Sequence, residues 1–214
     1  MIHQEATKSV TIILDNVLLH GNLHRPDYAI GLVVFSHGSG SSRWSVRNNY
    51  VAEQLHGKGM ATLLFDLLTE QEDSIYENRF DIALLTRRLI GVTQWIEKQK
   101  DLAGLPLGYF GASTGAASAL KAAAHFGNRI HAVVSRGGRP DLAMDELPQV
   151  EAPTLLIVGE WDHMVIGLNE QAYERLRCKR RLEIISQASH LFEEPGKLQE
   201  VATLAVRWFK KYFN

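Results

Sequence analysis

Five consecutive residues, Gly111-Ala112-Ser113-Thr114-Gly115, form a G-x-S-x-G pattern. That spacing suits a serine on a sharp strand-to-helix turn, with its hydroxyl pushed clear of the backbone as a nucleophile. Side chains two positions away on either side would collide, which accounts for glycine at 111 and 115; Ala112, Ala116 and Ala117 keep the surroundings small. A helix opening at Thr114 adds free N–H groups and a favourable dipole for negative charge developing on a substrate. The pattern alone is weak, since chance gives roughly 0.07 occurrences in a chain of this composition. The alternative is a glycine-rich turn used only for close packing, so the neighbours must decide. They favour the nucleophile: LPLGYF (105–110) reads as a strand and the Ala-rich stretch 114–125 as a helix.

A serine hydroxyl is a poor nucleophile at neutral pH without a base to take its proton and an acid to orient that base. Asp162 ends Gly159-Glu160-Trp161-Asp162, directly after the apolar run APTLLIV (152–158). His190 ends Gln187-Ala188-Ser189-His190, after RLEIIS (181–186). Both fall in loops that follow strands, hence on the edge that carries Ser113. His190 would accept the Ser113 proton, and Asp162 would fix the imidazole tautomer and steady its positive charge. Rivals exist. Glu160 is nearer its strand end and expected to face solvent, Asp141 follows the preceding strand, and His163 is expected to open the next helix. Of nine histidines, only His190 combines chain order with a strand-end position. Cys178 has no elbow around it and reads as structural or solvent-facing.

The run IGLVVF (30–35) leads into Ser36-His37-Gly38-Ser39-Gly40-Ser41-Ser42-Arg43. A loop of this kind supplies one backbone N–H to an oxyanion, and the residue after the nucleophile supplies another; these are assigned to Ser39 and Thr114. Each such donor is worth about 3 kcal/mol in the transition state. His37 reads as a loop anchor rather than a proton carrier. The same stretch begins a G-x-G-x-x-G, with Asp66 closing the next strand as a ribose-binding acid would, but Arg43 stands at the third glycine position. A nucleotide site is therefore not expected. His20 and His24, four residues apart on a strand, lie ~13 Å from one another and cannot share a metal ion. The chemistry calls for no cofactor and no metal.

These residues need a scaffold that delivers several loops to one edge. Alternating segments at 8–14 and 17–24, broken at Asp15-Asn16, predict a hairpin. From residue 30 the strands become continuous apolar runs, adding MATLLF (60–65) and IHAVVS (130–135), as in a parallel sheet buried on both faces. Helical periodicity falls between them at 45–57, 79–98, 114–125, 166–177 and 197–212, where Trp208 and Phe209 are expected to pack on the sheet. The expected fold is α/β: a mostly parallel sheet of about seven to eight strands, an N-terminal antiparallel hairpin, helices on both faces and no large cap. In such sheets ligands bind beyond the carboxyl ends of the strands.

Composition narrows the function classes. The 214 residues suit one domain spanning 1–214. Lys plus Arg (23) and Asp plus Glu (24) balance to −1, which speaks against a nucleic-acid surface or a basic membrane anchor. A single cysteine, no basic start followed by an apolar segment, and no apolar run near ~20 residues point to a cytoplasmic, non-membrane protein. Oligomeric state leaves no mark in the sequence.

HGSGSSR (37–43), LLFDLLT (63–69), GYFGASTGAA (108–117), VVSRGGRPDL (133–142) and SHLFEEPG (189–196) together resemble the dienelactone-hydrolase-like branch of the α/β hydrolases. More narrowly, they resemble the hydrolase domain that some bacteria fuse to a phosphoribosyltransferase-like domain; no room for that second domain is expected within these residues. The resemblance covers roughly 10–213 and implies a Ser-Asp-His hydrolase without a large lid. Dienelactone hydrolases proper carry cysteine as nucleophile, and Ser113 stands there instead, which favours ordinary esters. The expected activity is hydrolysis of carboxylic esters of small or extended molecules through an acyl-Ser113 intermediate. Thioester hydrolysis, acyl transfer or lactone opening would use the same residues; a non-catalytic binding protein would lack a triad member, and none is missing. Arg43 and Arg136 both follow strands on the catalytic edge and are candidates for binding a substrate anion. The competing expectation is that Arg136 pairs with Asp141 or Glu160 to hold loops.

Overall fold

The computed structural model describes residues 7–14 and 17–213; the Asp15-Asn16 turn lies outside them. Strands β1 (Lys8–Leu14) and β2 (Val17–His24) pair antiparallel over their whole length, and β2 pairs antiparallel with β4 (Ala61–Phe65). The remaining strands run parallel: β3 (Leu32–Ser36), β5 (Leu107–Ala112), β6 (Ile130–Arg136), β7 (Thr154–Gly159) and β8 (Arg180–Ile185). Their spatial order is β1-β2-β4-β3-β5-β6-β7-β8. The continuous apolar runs are thus the parallel strands: every residue of β3, β4, β5 and β7 is buried.

Two apolar cores flank this sheet. Helices α1 (Val46–His56) and α6 (Lys197–Tyr212) cover one face, where Phe35, Phe110 and Phe209 are buried. The other face is covered by α3 (Ile82–Glu97), α4 (Thr114–Phe126) and α5 (His163–Arg175), with Leu89, Tyr109 and Leu120 inside. Tyr109 hides its hydroxyl in that core but spends it on Thr93 Oγ1 at 2.7 Å, so the burial leaves no unpaired polar atom. Trp208 and Phe209 pack inward on α6 as expected, and Trp208 Nε1 donates to the Pro153 carbonyl at 3.1 Å.

Three boundaries differ from the sequence reading. The helix expected from 166 begins at His163, because Asp162 ends the turn and His163 opens the helix. The 79–98 segment divides: Tyr76–Phe80 is a 3-10 turn, and Asp81 caps α3 by accepting from Leu84 N at 2.9 Å. A one-turn helix, α2 (Glu70–Asp73), was not anticipated; Thr69 and Glu72 close it with reciprocal side-chain bonds to backbone N–H groups. Among the described residues no helix is long and apolar enough to cross a membrane.

Candidate active site

β5 drives straight into the centre of the sheet's carboxyl edge and turns into α4 at Ser113, which adopts φ 52° and ψ −123°. A serine held there stores on the order of 1–3 kcal/mol of backbone strain that the surroundings must enforce. They do so sterically. A Cβ on Gly115 would lie 2.1 Å from the Ser36 carbonyl oxygen and 2.4 Å from that of His37. One on Gly111 would lie 2.5 Å from Ala116 Cα, so only glycine lets β3, β5 and α4 close on the turn. The backbone is also tied on both sides: Ser113 N donates to the Arg136 carbonyl (3.2 Å), and the Ser113 carbonyl accepts from Ala116 N (3.1 Å) and Arg139 N (3.0 Å).

Asp162 and His190, 28 residues apart, meet across the loops after β7 and β8. His190 Nδ1 lies 2.5 Å from Asp162 Oδ2, a short charge-assisted bond that leaves Nε2 as the free ring nitrogen. The His190 loop is bent at both ends, with Gln187 at φ 54° and Phe192 at φ 57°. It lies against the segment after β6: a side chain at Gly137 would stand 3.4 Å from His190 Cε1. That segment also holds the Ser113 backbone, so the elbow and the histidine share one support. The ring of His190 bonds Asp162 and makes no hydrogen bond to Ser113 Oγ. The rival acids are engaged elsewhere: Asp141 takes both bonds from Arg139 at 2.8 Å, and Glu160 accepts from Gln187 N (2.7 Å) and Ser186 Oγ (3.0 Å). These bonds, that from Gln187 N first, hold the exposed Glu160 carboxyl below the usual carboxylate range.

The loop after β3 reaches over the elbow. His37 is buried, and its Nδ1–H donates to the Gly38 carbonyl (2.9 Å) while Nε2 accepts from Leu67 N (3.0 Å). Desolvation pushes its pKa down, so it stays neutral as a brace between β3 and β4. Ser39 N–H points at the elbow but donates to Thr114 Oγ1 at 2.9 Å. The two expected oxyanion donors are therefore neighbours, and one of them is capped by the other residue's hydroxyl.

The two arginines do not present free forks to solvent. Arg43 N donates to Asp66 Oδ1 at 2.8 Å, and its guanidinium bonds Asp66 Oδ2. Arg136 pairs with neither Asp141 nor Glu160, correcting that expectation, because Arg139 and the β8 loop already satisfy those carboxylates. Its side chain turns inward and is buried, out of reach of a dissolved substrate anion. A cleft of about 250 Å³ opens beside the loop, lined by His37, Ser42, Arg43, Trp44, Asp66 and Thr69, and Ser113 does not line it. Trp44, Trp161 and Leu191, on loops of the same edge, and Met164, in the first turn of α5, are exposed.

The chain matches the dienelactone hydrolase family over residues 19–214. It belongs to that family. A dienelactone hydrolase from Anabaena variabilis, solved by crystallography, is 54% identical, covers 99% of this chain and 100% of its own, and superposes with a TM-score of 0.96. The esterase domain of a Rhodothermus marinus protein shares the fold at 19% identity and a TM-score of 0.79, covering 98% of this chain and 100% of its own. A putative phosphoribosyl transferase of Mycobacterium tuberculosis is 55% identical over 202 residues, which is 94% of this chain and 46% of that protein. The chain thus spans about half the length of the curated relatives it matches. Family membership and the Anabaena structure place the chain in the α/β-hydrolase fold.

Sequence reasoning missed two supports of the site. Asn48, on the first turn of α1, is buried against Arg136. Gly137, at φ 51°, carries the backbone past His190. The Gly137-Gly138 pair after β6 was the available signal for the second; for Asn48 there was none.

Proposed function

We propose that the chain hydrolyses neutral carboxylic esters through a Ser113–His190–Asp162 triad. The observation that carries this reading is that the strained Ser113 elbow and the His190–Asp162 pair, itself bonded at 2.5 Å, both lie against the segment after β6. In the reaction, His190 Nε2 takes the Ser113 proton as Oγ attacks the ester carbonyl carbon. Asp162 holds the Nδ1–H and stabilises the imidazolium. The carbonyl oxygen becomes an oxyanion facing Thr114 N–H, at the positive end of α4, and Ser39 N–H. Because Ser39 N–H is capped by Thr114 Oγ1, the incoming oxygen takes the place of that hydroxyl. Collapse expels the alcohol, which receives the proton from His190 and leaves acyl-Ser113. Water, deprotonated by the same histidine, then releases the acid.

Two features support a neutral, partly apolar substrate. Arg43 is neutralised by Asp66 and Arg136 is buried, so neither offers a carboxylate fork. Trp44, Trp161, Met164 and Leu191 offer apolar surface around the edge. A second reading, opening of a dienelactone-type lactone, has the 54% identical Anabaena protein in its favour. The test is hydrolysis of p-nitrophenyl esters of increasing acyl length against a dienelactone. Ester turnover that disappears in Ser113→Ala is expected; turnover of the lactone alone would select the second reading. Ester turnover unchanged in Ser113→Ala would remove both.

A further inference from the structure

Among the described residues Arg136 is the only buried arginine, lysine or acid. Buried guanidinium groups are ordinarily matched by a carboxylate, because an uncompensated charge in the interior is strongly penalised. Here no carboxylate pairs with it. Nη2 donates to the neutral Asn48 Oδ1 at a long 3.4 Å, Nε has no partner, and the guanidinium carbon stands 6.0 Å from the Phe192 ring centre. The charge that acts on it is of the same sign: Arg47, itself bonded to Glu193 at 2.9 Å. Burial first and Arg47 second pull the Arg136 pKa down to about 10, which still leaves it protonated at neutral pH. An apolar side chain of similar length would fill the space without that penalty. What Arg136 adds is a positive charge with nothing to balance it.

Its place in the sheet says where that charge acts. Arg136 is the register partner of Ala112, and its carbonyl takes the Ser113 N–H. The side chain reaches from β6 to Asn48 on α1, the helix that follows β3, and β5 is the strand between β6 and β3. The guanidinium therefore crosses the end of β5, next to the elbow and beneath the loop that carries His190 and Phe192. Building on the hydrolytic reading above, we infer that Arg136 is an electrostatic positioning residue whose counter-charge is the transient oxyanion at Ser113. It acts through the field, not by contact: the cation is already in place before negative charge develops, so no reorganisation is needed when it forms.

Asn48→Asp tests this directly, because it leaves the arginine and the packing in place and supplies the missing counter-charge. The expected result is a kcat lowered roughly 10- to 100-fold on a p-nitrophenyl ester, as for a unit charge neutralised beside the reacting atoms. KM stays within about twofold, and affinity for an alkyl boronic acid, which forms an anionic tetrahedral adduct on serine, falls in parallel with kcat. The melting temperature holds or rises. Arg136→Met is expected to match it in kcat and boronate affinity, whereas Arg136→Lys retains most of both. If Arg136→Met does not fold, Asn48→Asp decides. A folded Asn48→Asp protein with wild-type kcat and boronate affinity would overturn the inference while the esterase reading stands. A wild-type protein that hydrolyses no ester would overturn both.

Discussion

Gly115→Ala gives the sharpest link between fold and chemistry. The added methyl would sit 2.1 Å from the Ser36 carbonyl oxygen and 2.4 Å from that of His37. Ordinary carbon–oxygen contact needs over an ångström more, and neither carbonyl can rotate away, since both belong to the buried end of β3 and the start of the oxyanion loop. Overpacking of this kind costs about 3 kcal/mol, which for a chain of this length lowers the melting temperature by about 6–12 °C. Relief must come from pushing the His37–Ser39 loop outward by about 1 Å, which misplaces the Ser39 donor and lowers kcat by on the order of 10²-fold. Gly167→Ala is the control. It lies in α5 with nothing within 4 Å of the added methyl, so the substitution raises stability by up to about 1 kcal/mol and leaves turnover alone. Thermal melts and p-nitrophenyl ester kinetics on both variants decide the matter. A Gly115→Ala protein that melts within about 2 °C of wild type and turns over normally would refute the steric account of the elbow.

Asp162→Asn keeps the hydrogen-bonding shape but loses the charge at 2.5 Å from His190, and kcat is expected to fall on the order of 10³- to 10⁴-fold with little change in KM. Arg43→Ala, which breaks the pair with Asp66, is expected to change kcat/KM for neutral and carboxylate-bearing esters by the same factor; a loss confined to acidic esters would return that arginine to anion binding. His56 stacks on His24 with ring centres 3.6 Å apart and sits 2.6 Å from Thr62 Oγ1. Burial, and then the neighbouring His24, hold its pKa down to about 4 from 6.5. The unfolded chain therefore takes up a proton that the folded one refuses, and stability declines as pH falls from about 6.5 toward 4. Allowing for partial exposure, that loss is about 1–2 kcal/mol. Urea midpoints at pH 7 and 4.5 should differ less in His56→Gln than in wild type, and an equal difference would contradict the assignment.

Much of this arrangement was legible because a few physical patterns leave little freedom. Strands buried on both faces must be continuously apolar, so β3 through β7 announced themselves, while half-buried β8 gave only a weak signal. The amphipathic period of 197–212 matched α6 residue for residue. G-x-S-x-G fixed the elbow because steric exclusion at 111 and 115 is local. Contacts between loops were another matter. Nothing near Arg43 names Asp66 as its partner, and nothing near Arg136 says that its side chain turns inward to Asn48, since those choices are made by the packing of α1 on the sheet. The helix α2 did leave a trace, Thr69 and Glu72 at capping spacing, but no apolar run follows to mark it as a helix. Likewise, the capping of Ser39 N–H by Thr114 Oγ1 depends on a side-chain rotamer, which sequence does not specify.

The most direct test of the central claim is covalent. A fluorophosphonate probe should label the protein, peptide mass spectrometry should place the adduct on Ser113, and His190→Ala should label at least a hundredfold more slowly while remaining folded. Labelling at another residue, or labelling at Ser113 that is indifferent to His190, would contradict the account.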